Sequence, residues 1–171
     1  MGYQLIETIE VGAGGAASIE FTGIPQDGVD LVCVFSARGT TADIFASSRW
    51  RFNNNTDLAY DRYSLRAYGG IVSSTSLTDA SSFSGLEING ANSTANTFGS
   101  MRMSISNYTA ASAKSVSLDY VVENNSSSNY ESKLEIAAMS WDNTDAITSI
   151  KIDDTTFVEG STASLYKITA D

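Results

Sequence analysis

Apolar and polar residues alternate with a period of two along most of this chain, which is the pattern of half-buried β-strands. Residues 4–11 read as a first strand, ending in the flexible Gly12-Ala13-Gly14-Gly15 turn. Residues 18–22 alternate and stop at Gly23-Ile24-Pro25. Residues 31–35 (Leu-Val-Cys-Val-Phe) are apolar throughout, which predicts a strand covered on both faces. Residues 47–53 put Trp50 and Phe52 on one face and Arg49 and Arg51 on the other, before an Asn53-Asn54-Asn55 turn. Residues 59–69 place Tyr63, Leu65 and Ala67 on an apolar side that is expected to face the core. Tyr60, Arg62, Ser64, Arg66 and Tyr68 fall on the opposite side, expected to be exposed.

The middle is looser. Residues 71–84 are rich in Ser and Thr and read as a short strand plus a loop, and residues 84–88 as a further strand. Past a loop at 89–96 the alternation returns. Residues 98–107 point Met101, Met103 and Ile105 inward. Residues 114–123 point Val116, Leu118, Tyr120 and Val122 inward. A polar turn is predicted at 124–129, and strands at 133–141, 147–153 and 163–169 complete the set. Helical periodicity is weak everywhere. About nine to eleven short strands between Gly, Asn, Ser and Asp turns predict an all-β antiparallel sandwich, jelly-roll-like, in one domain over 1–171.

Composition narrows the chemistry. The 171 residues contain no histidine, one cysteine and one proline, and carry a net charge of −10. That excludes His-based catalytic relays and His- or Cys-rich metal centres, and no cofactor is expected. So acidic a chain does not suit nucleic acid, which requires a basic surface. No segment has the length or apolarity to span a membrane, and the N-terminus does not read as a signal peptide. Polarity comes from hydroxyls instead, with 26 Ser and 16 Thr. Such residues favour turns and strands over helices. Cys33, in the most apolar strand, is expected to be a buried thiol.

Candidate sites follow from what is left. Asp61, Glu87, Asp119 and Glu135 are the carboxylates a glycoside hydrolase could use, but their alternating positions predict solvated strand faces. Asp142 and Asp145, in one short turn, are the nearest approach to calcium-loop chemistry; Asp and Asn are equally ordinary turn formers. Trp50 is expected in the core with Phe52. Trp141 ends a strand and is expected to close the end of the sandwich, with glycan stacking as its alternative role. Tyr60, Arg62, Arg66 and Tyr68 form the strongest candidate for an oligomer or partner interface, because Tyr and Arg favour such surfaces. Five of the six arginines lie between Arg38 and Arg66, whereas ten acidic residues and three lysines lie from Asp119 onward. This asymmetry suggests head-to-tail packing of copies around a ring.

Several segments then carry a family resemblance. Tyr3-Gln4-Leu5-Ile6-Glu7-Thr8 with its Gly/Ala turn is one. Phe21-Thr22-Gly23-Ile24-Pro25-Gln26, leading to Asp30-Leu31-Val32 and Ser36-Ala37-Arg38, is another. With Arg51-Phe52-Asn53 ahead of Tyr60, they resemble virion proteins of tailed bacteriophages, particularly those of aquatic bacteria. The closing Ala146-Ile147-Thr148-Ser149-Ile150, Phe157-Val158-Glu159-Gly160-Ser161 and Ser164-Leu165-Tyr166-Lys167-Ile168 resemble that family's C-terminal end. The resemblance implies a non-enzymatic jelly-roll-like domain on the capsid exterior or in the tail, made in the host cytoplasm. Within that frame the first expectation is a decoration or cement protein, homo-oligomeric as a trimer or similar ring and bound to the major capsid protein or another virion protein. The alternative is a tail-fibre module that recognises a host-surface glycan. No catalytic residue is carried over, and the acidic Asp142–Asp145 turn departs from the family's pattern.

Overall fold

The computed structural model describes residues 2–125 and 132–169, so most of the polar turn expected at 124–129 lies outside the described residues. The described residues form twelve strands and no helix. In chain order these are β1 (Gly2–Glu10), β2 (Ile19–Phe21), β3 (Asp30–Ala37), β4 (Phe45–Phe52), β5 (Tyr60–Tyr68) and β6 (Ile71–Ala80). They continue as β7 (Phe83–Asn89), β8 (Gly99–Ile105), β9 (Lys114–Val122), β10 (Lys133–Trp141), β11 (Ile150–Asp153) and β12 (Thr162–Thr169). The sandwich is as expected, with twelve strands against an expected nine to eleven; the Ser- and Thr-rich 71–84 is not a short strand plus a loop. It is the ten-residue β6, followed by the start of β7.

Two sheets stack. The wide one has the order β1-β12-β3-β8-β9-β10-β5-β6 and the narrow one β2-β11-β4-β7. Every strand pairing is antiparallel, and five of them nest: β5 with β6, β4 with β7, β3 with β8, β2 with β11, and β1 with β12. A long hairpin rolled up so that its rungs alternate between two sheets is a jelly roll. Here β9 and β10 are inserted between β8 and β5 as a meander. The innermost hairpin turns at Gly69-Gly70, both with positive φ, as a two-residue primed turn requires.

Between the sheets the apolar faces of both close on one core. Phe52, Tyr60, Phe83 and Trp141 meet edge-on or tilted, with the Tyr60 and Phe83 ring centroids 4.9 Å apart. Phe35 extends the cluster to Trp50 and Phe157. Such edge-to-face pairs add to the burial of the rings themselves. Cys33 lies fully buried here, and burial pushes its thiol up to about 12. Coverage of β3 on its other face is incomplete: Val32 is buried, but Val34 is exposed.

Two cations organise the loops. Arg38 donates to the carbonyls of Ala91, Ser93, Thr94 and Thr97 at 2.7–3.2 Å, so the 90–97 loop is wrapped around its guanidinium. Gly90 starts that loop where a Cβ would collide with the Asp43 carbonyl oxygen. Lys114, fully buried, donates to the Ala110 and Ser112 carbonyls and lies 5.8 Å from the Trp141 ring centroid.

Candidate interaction surface

The β5 face expected outside is inside. Tyr60 is fully buried, and Arg62 and Ser64 are buried beside it. Tyr60 accepts the Phe52 N–H at 3.1 Å, and burial pushes its phenol up to about 12. Arg66 is half-buried and donates to Ser73. Tyr68 retains some exposure but packs edge-on against Phe45. These four residues therefore do not form one exposed interface. Period-two alternation gives two faces without saying which is covered, and on β5 the apolar face is the uncovered one.

The inward charges meet opposite charges from β10 and β7, while Arg62 Nε and Glu135 Oε1 keep no hydrogen-bond partner among the described residues. Glu135, expected in solvent, is buried; it accepts the Tyr120 hydroxyl at 2.8 Å and lies 3.7 Å from the Arg62 guanidinium. Burial first, then the Glu135 carboxylate, pushes the Tyr120 phenol far upward and keeps it protonated as a donor. Glu87, also expected in solvent, is ion-paired to the buried Lys133, whose ammonium lies 5.0 Å from the Phe45 centroid and 5.2 Å from that of Tyr68. Glu87 and Glu135 are thus each committed to a cation inside the sandwich. Asp119 is exposed as expected, and Asp61 is half-buried, accepting the Asp79 N–H.

The remaining candidates divide between the core and the surface. Trp141 is fully buried in the aromatic cluster, so it closes the sandwich and cannot stack on a glycan. Asp142 and Asp145 are exposed; the turn is closed by Asn143, which accepts the Asp145 N–H at 2.7 Å. Among the described residues no three acidic or cysteine side chains are grouped as metal ligands. The early-basic, late-acidic asymmetry is partly neutralised within the molecule. Arg49 and Arg51 pair with Asp153, Arg49 with Asp154, and Arg62 with Glu135, because β4 lies beside β11 and β5 beside β10.

What the sandwich leaves open is the outer face of the wide sheet. Cross-strand register aligns Val121, Leu134, Ala67 and Val72 in one row, and Asp119, Ile136, Leu65 and Ser74 in the next. Tyr63, Leu65 and Ile136 are 59%, 53% and 54% exposed, and Val72 73%. A groove of about 780 Å³ crosses β9, β10, β5 and β6 here, with Tyr63, Leu65 and Ile136 in its wall and Ser74, Ser76 and Asp119 around them. On the far half of the same face Tyr3 leans over the sheet, its hydroxyl accepting from Arg102 at 2.8 Å. The outer face of the narrow sheet is the opposite in character. Its rows are Glu20–Lys151–Arg51 and Asp153–Arg49, with Asp153 ion-paired to both arginines.

Tyr63, Leu65, Leu134 and Ile136 are the surface residues that pattern reading assigns wrongly or leaves unassigned. The signal available was on β10: Lys133 and Glu135 share a face with Ala137, Met139 and Trp141, matching in charge the Arg62 side of β5. No protein-family model matches this chain, and no curated protein matches it. Fold and surface together define a class: a jelly-roll-like antiparallel sandwich with one apolar and one charged outer face.

Proposed function

We propose that this chain is a non-enzymatic assembly protein of the virion-decoration kind that the sequence resemblance implies, and that it attaches through the outer face of its wide sheet. The observation that carries this reading is the contrast between the two outer faces. Exposed apolar side chains gathered in adjacent cross-strand rows are what a binding surface presents. Its half-exposed aliphatic side chains each have roughly 1 kcal/mol of burial still to gain. Many copies on one particle multiply a modest contact through avidity. The commitment of Glu87 and Glu135 to buried cations supports a role without acid–base chemistry.

The test is co-sedimentation with empty shells of the major capsid protein made alongside this chain. Wild type should bind; Leu65→Asp with Ile136→Asp, both at exposed positions, should abolish binding while leaving the circular dichroism spectrum unchanged. Binding unaffected by that pair, or no binding at high micromolar protein, rejects the proposal.

A second reading, glycan recognition by a tail module, loses Trp141 but gains the groove. Tyr63 offers an exposed ring beside the Ser74, Ser76 and Ser117 hydroxyls, and Asp119 makes no ion pair among the described residues. Glycan-array binding abolished by Tyr63→Ala would favour it over shell attachment; a blank array removes it.

A further inference from the structure

We infer that the edge of β6 left unpaired among the described residues pairs with the same edge of a second copy, continuing the wide sheet across a two-fold axis. The inference deepens the assembly reading by naming its oligomer contact, but its test needs no shell, so the two can fail separately.

An edge strand presents unpaired N–H and C=O groups, and folded proteins guard such edges with charges, bulges, proline or brevity. Three of the four sheet edges here are guarded. β1 has a register shift between Leu5 and Glu7 and carries Glu7 and Glu10. β2 is three residues long. β7 carries Glu87, with a register shift opposite Ser48–Trp50 and a positive φ at Gly85. β6 alone has no such device over residues 71–78, Ile-Val-Ser-Ser-Thr-Ser-Leu-Thr, which include no charge and no proline. Its irregularity is confined to the far end, where pairing with β5 shifts between Tyr60 and Arg62 and Asp79 has a φ of 51°. Ile71 and Val72 stand 65% and 73% exposed at the other end.

The occupant that fits this edge is the chain itself. Two molecules of net charge −10 repel, and β6 is an edge where they can meet without opposing like charges. The pleat allows only registers in which residues of the same face meet. Centring the axis on Ser74 pairs Ile71 with Leu77 of the second copy on the inner face, and Val72 with Ser76 on the outer face. The row Val121–Leu134–Ala67–Val72 then meets Ser76 of the second copy and continues onto its Tyr63. Such an isologous contact closes at two copies; a trimeric ring would need a different, head-to-tail contact.

Analytical ultracentrifugation of the full chain, from about 1 to about 200 μM, tests this. Wild type should form a dimer. Ser74→Lys, at an exposed position, places two lysines at the axis and should weaken dimerisation at least tenfold; Ser74→Glu should do the same. Mixing the two variants should restore a heterodimer. Leu65→Asp, on the face rather than the edge, should leave the dimer intact. A monomer throughout the range, unchanged association in Ser74→Lys, or no rescue on mixing overturns the inference.

Discussion

Glu135→Ala is the sharpest test of the inside-out reading of β5 and β10, on which the candidate surface depends. In the structure this substitution removes the acceptor of the Tyr120 hydroxyl and the carboxylate beside the Arg62 guanidinium. Arg62, with a side chain only 10% exposed, would keep a long contact of 3.4 Å to the Gly85 carbonyl. Removing one partner of a buried pair costs about 3–5 kcal/mol, because the other charge stays buried without compensation. For a chain of this size that corresponds to a fall in Tm of roughly 6–20 °C. If Glu135 instead faced water, the cost would be within about 0.5 kcal/mol. The cycle is completed by Arg62→Met with Glu135→Leu, which replaces both charges by apolar volume and should recover most of the loss. Urea denaturation of the four proteins gives the coupling energy. A loss below about 1 kcal/mol for Glu135→Ala, or additivity in the double variant, would refute the buried pair and with it the orientation of the apolar face.

Further outcomes follow from other contacts. Trp141→Ala should cost about 3–5 kcal/mol in chemical denaturation, since it opens a cavity against Phe52 and Tyr60. Any glycan or shell binding measured on protein that remains folded should not change. Arg38→Ala should free the 90–97 loop, seen as fast hydrogen exchange and protease cleavage confined to it, because four carbonyls lose their common donor. Cys33 should resist a thiol reagent at pH 8 until the chain unfolds. The raised thiol also gives alkaline sensitivity. Stability from this group is complete below its ordinary value of 9.0 and is lost as pH rises from there to about 12, since the unfolded chain releases the proton first. Tyr60 adds a loss of the same sign between 10.0 and about 12. A flat stability profile from pH 8 to 11 would contradict both.

Strand positions were legible because alternation survives wherever one face is buried: β8 and β9 have the faces their sequences predict. β4 follows suit, with Trp50 and Phe52 inside and both arginines outside. β5 fails for a definable reason. Its Tyr63, Leu65 and Ala67 look like core and its Arg62 and Arg66 look like surface. Only the register with β10, which brings Glu135 opposite Arg66 and Met139 opposite Arg62, reveals which side is enclosed. Partner identity is a tertiary fact that no single strand encodes. The same holds for β6, where hydroxyl-rich sequence is compatible with a loop until Gly69-Gly70 folds it back on β5. The candidate surface was missed because its residues were the ones most readily assigned to the interior.

The nested pairing also has a consequence in time. Its innermost rung, β5 with β6 across a two-residue turn, needs the smallest loop to close. Its outermost joins Gly2 to Thr169 and must wait for everything between. All-β topologies of this kind fold in milliseconds to seconds. Throughout that interval the earliest hairpin carries an uncharged edge with nothing yet beside it. Refolding yield should therefore fall as concentration rises, and Ser74→Lys should restore it. The strand that joins two finished molecules is the one by which two unfinished ones would go astray.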